Sequence, residues 1–165
     1  MTNEPSSPPC GAADADDVYM GYAGRDELLA ALNELLEAER AGAKVALAST
    51  NAAAQDYAAL MRQIRDDEGR WCAMLDRQIR RLGGTPSGAT GAFYAKAMGI
   101  ADPQERLAFL NRGQGWVVRK LGELLPKVRD DALHGDLRAM AMGHRANIAI
   151  AAAFQFGDRE SYKQT

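Results

Sequence analysis

Cysteine and histidine are scarce in this chain, with two of each among 165 residues. Cys10 and Cys72 are too few for a disulfide framework, which points to reducing surroundings and a cytoplasmic location. Long hydrophobic runs are absent. The longest apolar stretch near the C-terminus, Ile148 to Phe154, is far too short to span a bilayer, so no membrane association is expected. The N-terminus has no basic segment followed by an apolar run, which predicts no signal peptide. Strong charge of either sign is missing too: the net charge of −2 gives no electrostatic case for nucleic acid as a partner. Neither a glycine-rich phosphate loop nor a Ser-His-Asp grouping is apparent.

What remains is an ordinary globular composition, 47% hydrophobic and 25% charged, long enough for one domain with a sizeable core. Residues 1–24 are rich in Pro, Ser, Gly, Ala and Asp, lack helical periodicity and read as a flexible tail. They contain Glu4, Asp14, Asp16 and Asp17 and no basic residue, which leaves residues 25–165 close to neutral. From Arg25 the pattern turns helical. A first helix is expected over 25–49, and a second runs from beyond Ser49-Thr50-Asn51 to Gly83-Gly84. Arg77, Arg80 and Arg81 near its end suit the helix dipole better than a phosphate site. A connection over 83–102 follows, with a short helix possible from Ala92 to Met98. Asp102-Pro103-Gln104-Glu105 then marks a helix start, with a capping Asp and Pro at the first helical position. This third long helix stops at Pro126, and a fourth is expected over 130–156, ending at Gly157 and leaving 158–165 as a short C-terminal tail. The 83–102 connection is long enough to cross a bundle and leave the second and third long helices parallel.

Each long helix sets one polar residue in its apolar stripe. At roughly 100° per residue, Glu39 falls within about 20° of Leu32, and Glu68 within about 40° of Ile64. Gln114 is centred among Leu107, Leu110, Val118 and Leu121, and His144 shares a face with Leu133, Leu137 and Met140. Buried carboxylates are costly unless paired, hydrogen-bonded or bound to a metal. Two carboxylates and an imidazole facing one core therefore require a partner or an ion.

Around these residues stand Leu35-Leu36-Glu37-Ala38-Glu39-Arg40, Asp66-Asp67-Glu68-Gly69-Arg70-Trp71, Asn111-Arg112-Gly113-Gln114-Gly115-Trp116 and Gly143-His144-Arg145-Ala146-Asn147-Ile148. In these motifs residues 25–157 resemble the ferritin-like superfamily, in a rubrerythrin-related branch of largely uncharacterised bacterial proteins. The resemblance implies an all-α, ferritin-like four-helix bundle with a long crossover between its second and third helices. It also implies a carboxylate-bridged di-metal centre, to which two helices each give a Glu and two each give Glu-x-x-His. Glu39 and Glu68 then occupy ligand positions of the first and second helices, and His144 that of the fourth. Trp71 stands where the His partner of Glu68 belongs, Gln114 where the third helix offers Glu, and Ala141 where the Glu partner of His144 belongs. Three of the six ligand positions are kept.

Several outcomes fit that pattern. A dinuclear site survives in reduced form; or Glu39, Glu68 and His144 hold a single Fe, Mn or Zn ion, with Gln114 orienting water or substrate. In a third outcome no cofactor binds, and Glu39, Glu68, Gln114 and a protonated His144 form a closed hydrogen-bond network. Asn111, Asn147, Trp71, Asp67 and Arg145 stand close enough in sequence to join the polar network. The function expected is that of a ferritin-like protein with a degenerate core site. The alternatives are an oxygen- or peroxide-handling redox protein, a non-catalytic homodimer, or a binder of a small organic ligand beside Trp71. His134 reads as a surface or cap residue, Cys72 as a core or half-buried thiol, and the methionines as packing or surface residues. Trp116, off the Gln114 stripe, is expected to face the crossover segment or a partner chain.

Overall fold

The computed structural model describes residues 17–18, 20–51 and 54–163, with side chains given as far as Gly157. It is all-helical, with no strand among the described residues. Helix α1 spans Arg25–Ser49, α2 Gln55–Arg81, α3 Phe93–Met98, α4 Pro103–Leu124 and α5 Asp131–Lys163, with a 3-10 turn at Leu125–Lys127. No helix among the described residues is long and apolar enough to cross a membrane.

Local chemistry accounts for most of the boundaries. The amide of Gly83 donates to Arg80 O and that of Gly84 to Ile79 O, both at 2.9 Å, and Gly83 adopts φ +74°. This is the paired closure that a left-handed residue permits at a helix end, and glycine takes that conformation without strain. Asp102 caps α4 by accepting from the Glu105 amide at 2.8 Å, and Asp130 caps α5 by accepting from the Leu133 amide at 2.7 Å. Asp102→Ala is expected to cost about 1 kcal/mol, lowering the thermal midpoint by about 2–4 °C in a melt followed by circular dichroism.

Two boundaries differ from the sequence expectation. Helix α5 does not stop at Gly157 but continues to Lys163, because an interior glycine weakens a helix by only about 1 kcal/mol and does not end it. The proposed flexible tail shortens as well. Residues 1–16 lie outside the described residues, but residues next to α1 are tied down. The Ala23 amide donates to Lys127 O at 2.9 Å, Asp17 pairs with Arg129 at 2.7 Å, and Ala23 is buried. The basic cluster at the end of α2 is structural: Arg77 pairs with Asp136, Arg80 with Asp76 and Arg81 with Asp130.

Helices α1 and α2 form one packed pair and α4 and α5 another, and the pairs meet through α1 with α4 and α2 with α5. Arg25, at the start of α1, donates to the carbonyls of Leu82 and Gly83 beyond the end of α2, so these two helices are antiparallel. From there the connection returns along α1. The Ser87 amide donates to Asn33 Oδ1 at 2.7 Å and its hydroxyl to Glu37 Oε1 at 2.5 Å; farther on, Phe93 stacks on Phe109 at 4.8 Å. Tyr57, near the start of α2, donates to the carbonyl of Pro103, so α2 and α4 begin at the same end of the molecule.

The core divides into two apolar clusters. One gathers residues such as Leu32, Leu36, Leu75, Leu121 and Leu137; the other gathers Val45, Tyr57, Ile64, Leu107 and Ala151. On every long helix the boundary between the clusters falls at one polar residue: Glu39, Glu68, Gln114 or His144. Burial of each leucine contributes about 1.5–3 kcal/mol, which holds this polar layer out of water from both sides.

Candidate metal centre

The four residues of the polar layer are at most 3% exposed. Glu39, Glu68 and His144 each offer a ligand atom, and those atoms lie within 4.8 Å of one another. His144 Nδ1 is 3.3 Å from Gln114 Oε1. An amide oxygen only accepts, so the ring nitrogen facing it carries the hydrogen and Nε2 is left as a lone pair. That Nε2 sits 3.1 Å from Glu39 Oε1, with no hydrogen to share between them while Glu39 is ionised. Gln114 Nε2, Asn147 Nδ2, Asn111 Oδ1 and Trp71 Nε1 are buried without partners. Such atoms are few in native proteins. Here they gather around one layer.

Burial sets the protonation of the layer. It lifts Glu39 to about 8, against a smaller opposite effect from its hydrogen bond with Glu68. With both carboxylates ionised no such bond exists, since neither has a proton to give; it forms when Glu68 is protonated and donates. Glu68 is held well above the usual carboxylate range, by burial first and then by the neighbouring charge of Glu39. Burial also lowers His144 below its ordinary value, outweighing the pull of Glu68 and Asp67. The imidazolium expected from the sequence is thus corrected to a neutral imidazole: desolvation in the packed core exceeds the attraction of carboxyls that are themselves lifted.

Two glycines make room for the layer. A Cβ at Gly42 would lie 2.7 Å from Glu68 Oε2, and one at Gly143 would lie 2.7 Å from Trp71 Cζ2. The Trp71 indole thus fills the space between α2 and α5, with its ring centroid 6.5 Å from that of His144 and the Arg70 guanidinium over the ring at 4.4 Å. Trp71 and Ala141 contribute no ligand atom, so three donors remain, too few for a dinuclear centre. They do fit one ion, since two carboxylates and an imidazole nitrogen without donors form a compact mixed oxygen–nitrogen set.

The remaining sequence candidates separate cleanly. Asn147 is buried beside the layer, and Asn111 Nδ2 donates to Ile148 O at 3.3 Å. Asp67 instead pairs with Arg70 at 2.9 Å, and Arg145 is exposed. Cys72 is half-buried and its thiol is pushed up to about 12, mainly by burial, which makes it a poor nucleophile. A cavity of about 440 Å³ reaches Glu68 and Gln114 from the side of the connecting segment. Trp116 lines it, on the side of the connecting segment that its position off the stripe suggested, whereas Trp71 does not. Sequence reasoning missed Gly42 altogether and gave Gly143 no role. The available signal was glycine inside an amphipathic helix, which costs about 1 kcal/mol and calls for a packing reason.

Fold and site together define an all-helical protein with a buried carboxylate–histidine layer across its core. The chain belongs to the family described as Domain of unknown function (DUF6306), which it matches over residues 26–153. No curated protein and no solved structure matches it.

Proposed function

We propose that this chain is a ferritin-like four-helix bundle, with residues 82–102 as its crossover, that holds a single divalent transition-metal ion between Glu39, Glu68 and His144. The return of the connection along α1 and the common starting end of α2 and α4 support the bundle topology. The observation that carries the metal site is the set of three convergent, buried donors, whose ligand atoms lie within 4.8 Å of one another, with His144 Nε2 lacking a hydrogen-bond partner.

The surrounding residues suit that role. Gln114 accepts from His144 Nδ1 and so holds the imidazole in the tautomer that presents Nε2 to the carboxylates. Glu39 and Glu68 together balance a dication, leaving the core neutral. Trp71 and the two apolar clusters cover the layer except on the side where the cavity reaches Glu68 and Gln114. Bound iron or manganese would supply one-electron chemistry toward oxygen or peroxide, and zinc only Lewis acidity.

Calorimetric titration of the chelator-treated full chain with Mn(II) is expected to saturate at one ion per chain; no binding, or two ions, contradicts the reading. Gly42→Ala provides an independent check. Its added Cβ must displace the Glu68 carboxylate, so Mn(II) affinity should fall about tenfold or more, the scale of losses when ligand positioning fails. Thermal stability should change little, because alanine also favours the helix by about 1 kcal/mol. Unchanged affinity in this variant would remove Glu68 from the site.

A second reading has its own support. When Glu68 is protonated it hydrogen-bonds to Glu39, so a proton can stand where the ion would. The layer would then be a metal-free device fixing the register of the helices.

A further inference from the structure

We infer that the cavity between α1, α4 and the connecting segment is a binding site for an uncharged, mainly apolar alcohol or phenol, whose hydroxyl meets Glu68 at the inner end. At about 440 Å³ the cavity falls within the range of small-molecule sites, roughly 300–1,000 Å³. Its walls are mainly apolar and include Phe93, Phe109, Leu110, Trp116 and Val117. Gly42, also on the wall, lets the Glu68 carboxyl lie over the α1 backbone where any Cβ would collide with it. Glu68 is 3% exposed, so the polar end of the cavity is the buried end.

The charges at the mouth already have partners. Glu34 pairs with Lys120 at 3.2 Å, Glu37 accepts from the Ser87 hydroxyl, and Arg112 lies over the Phe109 ring at 5.5 Å. None of them calls for a charged ligand. An anion would leave water for apolar walls and meet a carboxylate, not a cation, at the inner end. With an ion between Glu39, Glu68 and His144, the two carboxylates are already neutralised, and an ammonium group would leave water for aromatic walls without a free counter-charge. In the charge of the ligand alone, then, the inference rests on the metal reading. A hydroxyl needs no counter-charge, and it can donate to a Glu68 oxygen.

The test is calorimetric titration of the Mn(II)-treated full chain, its metal content measured separately, with four probes of one shape: 2-phenylethanol, ethylbenzene, phenylacetate and 2-phenylethylamine. 2-Phenylethanol is expected to bind one to one, about fivefold more tightly than ethylbenzene for the one neutral hydrogen bond gained. It should bind at least about tenfold more tightly than either charged probe. Ala38 lines the cavity from α1. Ala38→Phe should fill the space and reduce 2-phenylethanol binding at least about tenfold while metal content holds. Absence of saturable binding, undiminished binding in Ala38→Phe, or a charged probe bound as tightly as the alcohol overturns the inference. A chain that takes up no Mn(II) yet binds 2-phenylethanol in an Ala38-dependent way retains the cavity and loses the metal. A chain loaded with Mn(II) that binds no probe loses only the cavity.

Discussion

His144→Ala is expected to weaken Mn(II) binding by about a hundredfold or more while leaving the chain folded. The substitution removes the one nitrogen donor of a three-residue set, whereas loss of a supporting partner alone typically costs about 10–100-fold. Gln114→Ala, which removes the acceptor holding His144 Nδ1, should accordingly fall in that smaller range. Stability should respond differently. His144→Ala leaves a cavity and strands Gln114 Oε1, a cost of about 1–3 kcal/mol that a domain of this size survives. Titration calorimetry paired with thermal melts separates the two effects. Equal Mn(II) affinity in wild type and His144→Ala would show that the imidazole is only a packed core residue.

Stability of the chelator-treated chain should fall as pH rises from about 4.5 to about 8. Glu39 has its folded value lifted from 4.5 to about 8, so between those values the folded state holds a proton that the unfolded chain has released. Stability then declines with pH across that window and levels off above it. At about 1.4 kcal/mol per unit, the loss attributable to Glu39 is at most about 5 kcal/mol. Glu68 adds to it in the same direction, since burial lifts it too, whereas His144, lowered by burial, opposes it below its ordinary value of 6.5. Glu39→Gln removes the titrating group and should flatten much of the slope, stabilising the metal-free chain at pH 8. With Mn(II) bound the sign reverses, because protons compete with the ion for the carboxylates and stability rises with pH. Urea unfolding at pH 5, 6.5 and 8, with and without Mn(II), measures both slopes. A metal-free slope of zero would mean that Glu39 is ionised and compensated in the fold.

The boundaries of the helices were legible because they rest on short-range chemistry. Asp102-Pro103, Gly83-Gly84 and Pro126 each act within a turn of their own position, and all mark ends in the structure. Gly157 misled for the converse reason: a glycine ends a helix only when the chain beyond it also turns away. The polar layer was legible through periodicity, since Glu39, Glu68, Gln114 and His144 lie on stripes whose other members are apolar, and all four are buried. The protonation of the layer was not. It depends on how completely two apolar clusters close over His144, and no spacing in the sequence encodes that. The closeness of Gly42 to Glu68 and of Gly143 to Trp71 was hidden for a similar reason, because each is a contact between helices.

The most direct test is the elemental composition of the full chain purified without added chelator. Close to one Fe, Mn or Zn per chain, falling to near background in His144→Ala prepared identically, is the result that a single-ion centre at Glu39, Glu68 and His144 requires. A metal-free wild type that also rejects added Fe(II) and Mn(II) would contradict it, leaving the buried carboxyls to share a proton where an ion was proposed.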